Sequence, residues 1–338
     1  MKKTKKILSL VLCVILAVSL LACGSTGGTS SSNNSNQNDT VTLKLFAAWP
    51  EGNSNLVGME EMIQNVSKKT NGSLIIEWGG GPEAIPAAQL AEAIASGVVD
   101  IAWSAHTYNI SHMPVLEAIK LIEASVLRSG GGFDFVDQLY QDNLNAHYLG
   151  AICDGATYSF YLQREITTLD DFKGMTIRAT PAYAAFVDAL GAGQVNMAAG
   201  ETYQALERGV IQGTGWPSLG IADFGWEEVV QYIIRPAFYN VDTALFISNQ
   251  AWNRLSESQQ QALKEAAYEH EVWAKSYYTD AIKKDNDMLV QGGMKIVELA
   301  PDIAERYLDL AYSAAWQSVL KADPENGKIL QEFAGYGN

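Results

Sequence analysis

Cysteine is scarce. Of 338 residues only Cys13, Cys23 and Cys153 carry a thiol. Cys13 lies inside an N-terminal apolar run and Cys23 directly after it, which leaves Cys153 alone in the body of the chain. No disulfide can staple the mature protein, so stability must come from packing. Histidine is equally thin: His106, His112, His147 and His270. No pair has metal-ligand spacing, and His270-Glu271 is followed by Val272-Trp273-Ala274, so a zincin motif is absent. A Gly-x-Ser-x-Gly elbow for serine hydrolysis is missing too. Gly213-Thr214-Gly215 lacks the third glycine of a dinucleotide loop, and Pro217 interrupts the helix that should follow. Positive charge is in deficit, 23 Lys and Arg against 38 Asp and Glu, for a net −15. That argues against a nucleic-acid partner. It also means that the global field repels anions, so capture of one requires a local cation.

The amino terminus reads as an export signal over 1–22. Lys2, Lys3, Lys5 and Lys6 precede an apolar run of 15 residues, 7–21, shorter than the ~20 needed to span a bilayer. Leu20-Leu21-Ala22-Cys23 has the form of a lipobox, with cleavage expected before Cys23 and a lipid on its thiol; ordinary secretion is the alternative. Losing the four lysines takes the net charge from −15 to −19. Residues 23–40 are rich in Gly, Ser, Thr, Asn and Gln, the composition of a flexible tether.

The remaining ~300 residues suggest two domains. Strands are expected at 41–46, 73–78 and 98–103, with helices at 59–69 and 86–95 between them, the pattern of parallel βαβ units. A helix at 133–144 and a strand at 147–153 follow, and 239–248 reads as a strand returning between the domains. Ser256, with Gln259 three residues on, forms a capping box, and neither Pro nor Gly occurs from there to Val290. Leu263, Ala267, His270, Ala274, Tyr277, Ala281 and Met288 recur at helical spacing. One helix of about 30 residues, roughly 45 Å long, must run across both domains.

The segment 170–217 reads strand, helix, strand, helix, strand. Arg178 stands where the first of these strands ends and Trp216 where the last one ends. In open α/β sheets ligands bind beyond the carboxyl ends of the strands, and a guanidinium there matches a carboxylate in two parallel hydrogen bonds. Trp49, Trp103, Tyr108, Tyr183, Phe238 and Tyr239 also fall at or just after strand ends. An aromatic wall with one cation suits an organic anion with an apolar body. The four histidines and Cys153 read as structural groups. No catalytic set is present, so the chain is expected not to be an enzyme and to need no cofactor.

Leu169-Asp170-Asp171-Phe172-Lys173-Gly174-Met175-Thr176-Ile177-Arg178, Ala189-Leu190-Gly191-Ala192 and Glu201-Thr202-Tyr203-Gln204-Ala205-Leu206-Glu207-Arg208-Gly209-Val210-Ile211-Gln212-Gly213 together resemble the substrate-binding proteins of tripartite ATP-independent periplasmic (TRAP) transporters, the DctP-like receptors. Residues 89–102 and Ala251-Trp252-Asn253-Arg254-Leu255 match further blocks of that family. The resemblance implies two α/β lobes of periplasmic-binding-protein type, a hinge and a long helix crossing both. It implies carboxylate binding by Arg178 and delivery to a small and a large membrane subunit.

Two departures matter. Gly155-Ala156-Thr157 puts Thr157 where many members carry a second arginine. Thr214-Gly215-Trp216-Pro217 replaces a Gln-Glu-Asn-Pro block, which disfavours C4-dicarboxylates or sialic acid. Trp216 resembles receptors for 2-oxo or hydroxy monocarboxylates. Some of these hold a metal through a glutamate just before the Trp; Gly215 stands there, so no metal is expected.

The expected site is Arg178 as clamp, with Trp216, Trp49, Trp103 and Tyr183 as wall and Thr157 as a hydrogen-bond donor. The expected lobes are 41–153 plus 217–246, and 154–216 plus 247–338. The alternatives are a receptor for an ATP-driven importer, a receptor feeding a sensor kinase, and a secreted enzyme.

Overall fold

The computed structural model describes residues 40–336. The expected leader, Cys23 and the tether up to residue 39 lie outside the described residues. Four strands come first: β1 (Val41–Ala47), β2 (Leu74–Gly80), β3 (Ile101–Ala105) and β4 (Ala146–Gly150). Then follow β5 (Tyr158–Leu162), β6 (Thr176–Arg178), β7 (Gly193–Val195), β8 (Gly213–Pro217) and β9 (Tyr232–Arg235). Last are β10 (Thr243–Ser248) and β11 (Lys295–Glu298). They form two sheets, ordered β2-β1-β3-β10-β4 and β11-β9-β5-β8-β6-β7.

Within the first sheet β1 runs parallel to β2 and β3; within the second β6 runs parallel to β7 and β8. Parallel neighbours need a crossover, and helices supply it. The helix Met59–Lys69 shows why one forms there. Glu60 and Glu61 sit in its first turn and Lys68 and Lys69 in its last, complementing the dipole. Met62 and Val66 face inward. Asn71 (φ 51°) and Gly72 (φ 78°) adopt the left-handed conformation that ends it.

Each sheet also holds one internal antiparallel strand, and in the first sheet that strand, β10, arrives after the chain has built β5 to β9 of the other. β10 lies antiparallel between β3 and β4, and β5 lies antiparallel between β9 and β8. Since β4 leads to β5 and β9 to β10, the chain passes between sheets at 151–157 and again at 236–242. These passages pair with each other: Val241 N donates to Ala156 O at 2.9 Å, Tyr158 N to Tyr239 O at 2.9 Å, and Thr157 bridges Asn240. The hinge is therefore a two-stranded ribbon.

This corrects the expected boundaries. Residues 217–246 do not all join the first lobe, because β9 pairs with β5 and β11 in the second sheet. Pro217 ends β8 without ending the lobe. Residues 247–338 are not confined to the second lobe either. The helix Asn249–Trp252 packs on β10 and β4, and Pro324–Ala334 packs on the Pro114–Leu121 turn of the first lobe.

A third connection is the helix Glu257–Gln291, 35 residues and roughly 50 Å at ~1.5 Å per residue. Its capping box is present: Ser256 N donates to Gln259 Oε1 at 2.9 Å and Gln259 N to Ser256 Oγ at 3.3 Å. At one end Gln259 donates to Ser73 O at 2.8 Å in the first lobe. At the other, Arg235 Nη2 of the second lobe donates to Asn286 Oδ1 at 3.1 Å. Midway, Glu271 pairs with Arg128 and accepts from Ala151 N at 2.8 Å. The buried stripe follows the expected spacing to Ala274 and then shifts. Tyr278 and Leu289 are buried, while Met288 is exposed. Among the described residues no helix is long and apolar enough to cross a membrane.

Asp242 lies in the returning passage, 3% exposed, and ties both lobes together. Its Oδ1 accepts from the Tyr158 hydroxyl of β5 at 2.7 Å, and its Oδ2 from Thr107 N, just after β3, at 2.8 Å. Burial pushes its carboxyl up to about 6, against the pull of the Tyr158 hydrogen bond and the Lys120 charge. In the unfolded chain the same group ionises near pH 4. As pH rises from 4 to 6 the unfolded chain sheds this proton first, so the group's contribution to stability falls across that window. Asp285, also raised to about 6 by burial, adds to the same slope. Asp242→Asn removes the first contribution only. Melting curves should show the wild type's advantage over Asp242→Asn to be larger at pH 4 than at pH 7; a gap independent of pH would contradict this.

Candidate functional site

β6 is three residues long and ends at Arg178, and a Thr180-Pro181 turn then leads to the helix Ala184–Ala189. Arg178 is 2% exposed. Its Nε and Nη2 each donate to Met197 O at 3.2 Å, and Nη1 donates to the Tyr183 hydroxyl at 3.0 Å. That hydroxyl in turn donates to Gly215 O at 2.6 Å. The guanidinium carbon lies 5.4 Å from the centre of the Trp216 ring, within the range of a cation–π contact. Trp216 is itself braced edge-on by Trp226 and Phe224.

A guanidinium has five N–H donors in a rigid fork. Three hydrogen bonds are made here, so one N–H on each terminal nitrogen lacks a partner among the described residues. No described carboxylate lies within ion-pair distance of it. A buried charge without a counter-charge is costly. The site is therefore held open for an anion.

Arg178 faces a cleft of about 810 Å³ between the two sheets. Its walls come from the segments just beyond the carboxyl ends of parallel strands: Trp49 and Pro50 after β1, Pro82 to Ala88 after β2, and Thr107, Tyr108 and Ser111 after β3. From the second sheet come Arg178, Thr180 and Pro181 after β6, and Asn196 to Gly200 after β7. This is the location that open α/β sheets reserve for ligands. Phe224 completes the wall. Glu83 lines the cleft but is exposed, its carboxylate accepting from Gly81 N at 2.6 Å. Burial raises the Tyr108 phenol above its ordinary range, and the Arg178 charge pulls it part of the way back.

Of the expected residues, Arg178 and Trp49 line the cleft. Tyr183 and Trp216 stand behind the guanidinium and hold it. Two others lie elsewhere. Trp103 is fully buried in the first lobe, where its Nε1 donates to Asn55 O at 2.8 Å and its ring meets His270 edge-on at 5.0 Å. All five residues of β3 are buried, so a strand-end aromatic there is core. Thr157 sits in the hinge ribbon, its hydroxyl 3.2 Å from Ser218 Oγ, because the crossing passage draws it away from the cleft. Phe238 and Tyr239 are core residues as well; the Tyr239 hydroxyl donates to Ala311 O.

Thr107, Ser111, Asn196 and Phe224 were not singled out from sequence. The first three follow β3 and β7, so a systematic reading of the loops after parallel strands reaches them. Among the described residues no three His, Cys, Asp or Glu side chains converge as metal ligands. At Gly215 an added Cβ would fall 2.4 Å from the Tyr183 ring, so that ring occupies the room a side chain would need.

The bacterial extracellular solute-binding protein family 7 (DctP) model matches residues 46–321. A monocarboxylate 2-oxoacid-binding periplasmic protein of Nostoc sp. is 25% identical over 316 residues, 90% of this chain and 85% of its own length. A TRAP periplasmic solute-binding protein from Desulfovibrio salexigens, solved with bound orotic acid, superposes with a TM-score of 0.79 at 18% identity, covering 87% of this chain and 97% of that one. Another, from Bordetella bronchiseptica, with copurified calcium and picolinate, gives 0.76 at 22% identity over 88% and 93%. At such identities these two likenesses concern the fold. The family match spans most of the chain: this chain belongs to bacterial extracellular solute-binding protein family 7, the DctP-like extracytoplasmic receptors of TRAP transporters, which bind solutes rather than transform them.

Proposed function

We propose that the cleft receives a monocarboxylate with an apolar or aromatic body, such as a 2-oxo or hydroxy acid, and that the receptor passes it to the TRAP membrane subunits while tethered by a lipid on Cys23. The observation that carries this reading is Arg178, 2% exposed, hydrogen-bonded by neutral groups and unmatched by any described carboxylate. A guest's carboxylate supplies the missing charge. A single cation argues for a single carboxylate, and Glu83 at the rim opposes a second. Trp49, Tyr108 and Phe224 offer the apolar wall. Support for an apolar or ring-bearing body comes from the Nostoc protein, named for 2-oxoacids, and from orotate and picolinate, while galactonate, galacturonate and glucuronate in other likenesses are polyhydroxylated acids.

Lobe closure follows from the same electrostatics. An ion pair strengthens when water leaves, so the guest stabilises the closed form by its preference for it.

A thermal-shift screen of organic acids tests the clamp. A tight monocarboxylate raises the melting temperature through mass action. Arg178→Lys keeps the charge but not the fork, and the loss of a charged hydrogen bond, about 2 kcal/mol, should weaken binding roughly thirtyfold. An equal response from Arg178→Lys would sink the clamp, and stabilisation by neutral sugars alone would sink the substrate class. Gly215→Ala pushes the Tyr183 ring off Arg178; it should lower acid affinity in calorimetry while the far-ultraviolet spectrum stays native. For the anchor, Cys23→Ser should move the protein from the membrane pellet to the soluble fraction, and retention in the pellet would refute lipidation.

A further inference from the structure

We infer that Thr107 is a specificity-determining residue whose hydroxyl hydrogen-bonds a second oxygen of the guest, a hydroxyl or oxo group, from the lobe opposite Arg178. The inference rests on the carboxylate reading above and adds what the other lobe recognises.

Thr107 is 6% exposed, and its Oγ1 is a buried oxygen with no hydrogen-bond partner. Buried hydroxyls are nearly always paired, because leaving one unmet forfeits its hydrogen bonds to water. Among the described residues, Thr107 Oγ1 is the one orphaned buried side-chain atom whose residue also lines the cleft. The others belong to the lobe interiors and other parts of the molecule. The backbone of Thr107 is not free to move: its N–H is held by Asp242 at 2.8 Å, and the preceding His106 N donates to Asp242 O at 2.7 Å. Thr107 is thus held by the hinge in the cleft wall, its Oγ1 buried there without a partner. It belongs to the short turn His106–Asn109 after β3, whereas Arg178 ends β6 of the second sheet. Tyr108, the next residue, lines the same cleft as Arg178.

A guest that satisfies both groups spans the lobes. Its carboxylate answers the unpaired guanidinium, and its second oxygen answers Thr107. An acid lacking that oxygen leaves the hydroxyl orphaned on closure. Sites built to hydrogen-bond a substrate oxygen discriminate against the analogue without it for this reason. The apolar wall alone distinguishes such analogues weakly.

Titration calorimetry on the mature receptor with 4-methylpentanoate and its 2-hydroxy, 2-oxo and 3-hydroxy forms provides the test. The wild type should prefer one oxygenated form over the parent acid by about tenfold, the worth of one neutral hydrogen bond. Thr107→Val keeps the shape and the backbone bond to Asp242. It should bind the parent acid as the wild type does and lose the preference. Thr107→Ser should restore it. If Thr107→Val keeps the full preference, or the wild type shows none, the assignment to Thr107 is overturned while the carboxylate clamp stands. If neither protein binds any of the four acids although both melt cooperatively, the carboxylate reading fails and takes this inference with it.

Discussion

A guanidinium sealed from water with no acid beside it organises this molecule. Arg178 is held by a carbonyl, a phenol and the face of an indole, groups that orient a cation without neutralising it. Each of these holders is fixed in turn. Met197 precedes the helix Ala199–Glu207, Tyr183 is locked to Gly215 O, and Trp216 is wedged against Trp226 and Phe224. The second lobe spends its aromatic packing on keeping one fork pointed at the cleft. The chain's overall negative charge sharpens the requirement, since nothing but a local cation offsets it.

The first lobe answers from the far side, and the hinge connects the two answers. Asp242 accepts from Tyr158, whose ring packs 5.4 Å from Tyr183, and from the backbone of Thr107. The residues that define the cleft on both sheets are thus neighbours, at one remove, of a single buried carboxylate in the ribbon. Such an arrangement couples the positions of the two walls more directly than packing alone.

Much of this was legible in the residues. The parallel units at 41–103, the first-lobe helix at 59–69 and the capped long helix followed from alternation of strands and helices, period and capping; β1 and the helix at 59–69 bury one face and expose the other, whereas β3 is buried throughout. Arg178 was legible because the strand-turn-helix around it puts a cation at a ligand mouth. β5 and β9 were not. Tyr158 to Leu162 are buried on both faces, so no alternation marks them as a strand, and missing them misplaced the return passage. Trp103 and Thr157 failed for a related reason. A residue at a strand end can turn toward the cleft, the core or the hinge, and local pattern does not distinguish the three. Thr107 lies in a loop after a parallel strand, where sequence reaches it, but its unmet oxygen is visible only in the structure.

The insertion of β10 into the first sheet has a consequence for how such a receptor can be inherited. The first sheet carries, between β3 and β4, a strand that arrives only after the whole run from β5 to β9 has been built into the other sheet. Severing the gene at 151–157 would leave the first sheet gapped between β3 and β4, and β10 stranded on the other fragment with its two neighbours gone. The first lobe therefore cannot be built from the amino-terminal half of the gene alone, and the two lobes are bound into one inherited unit.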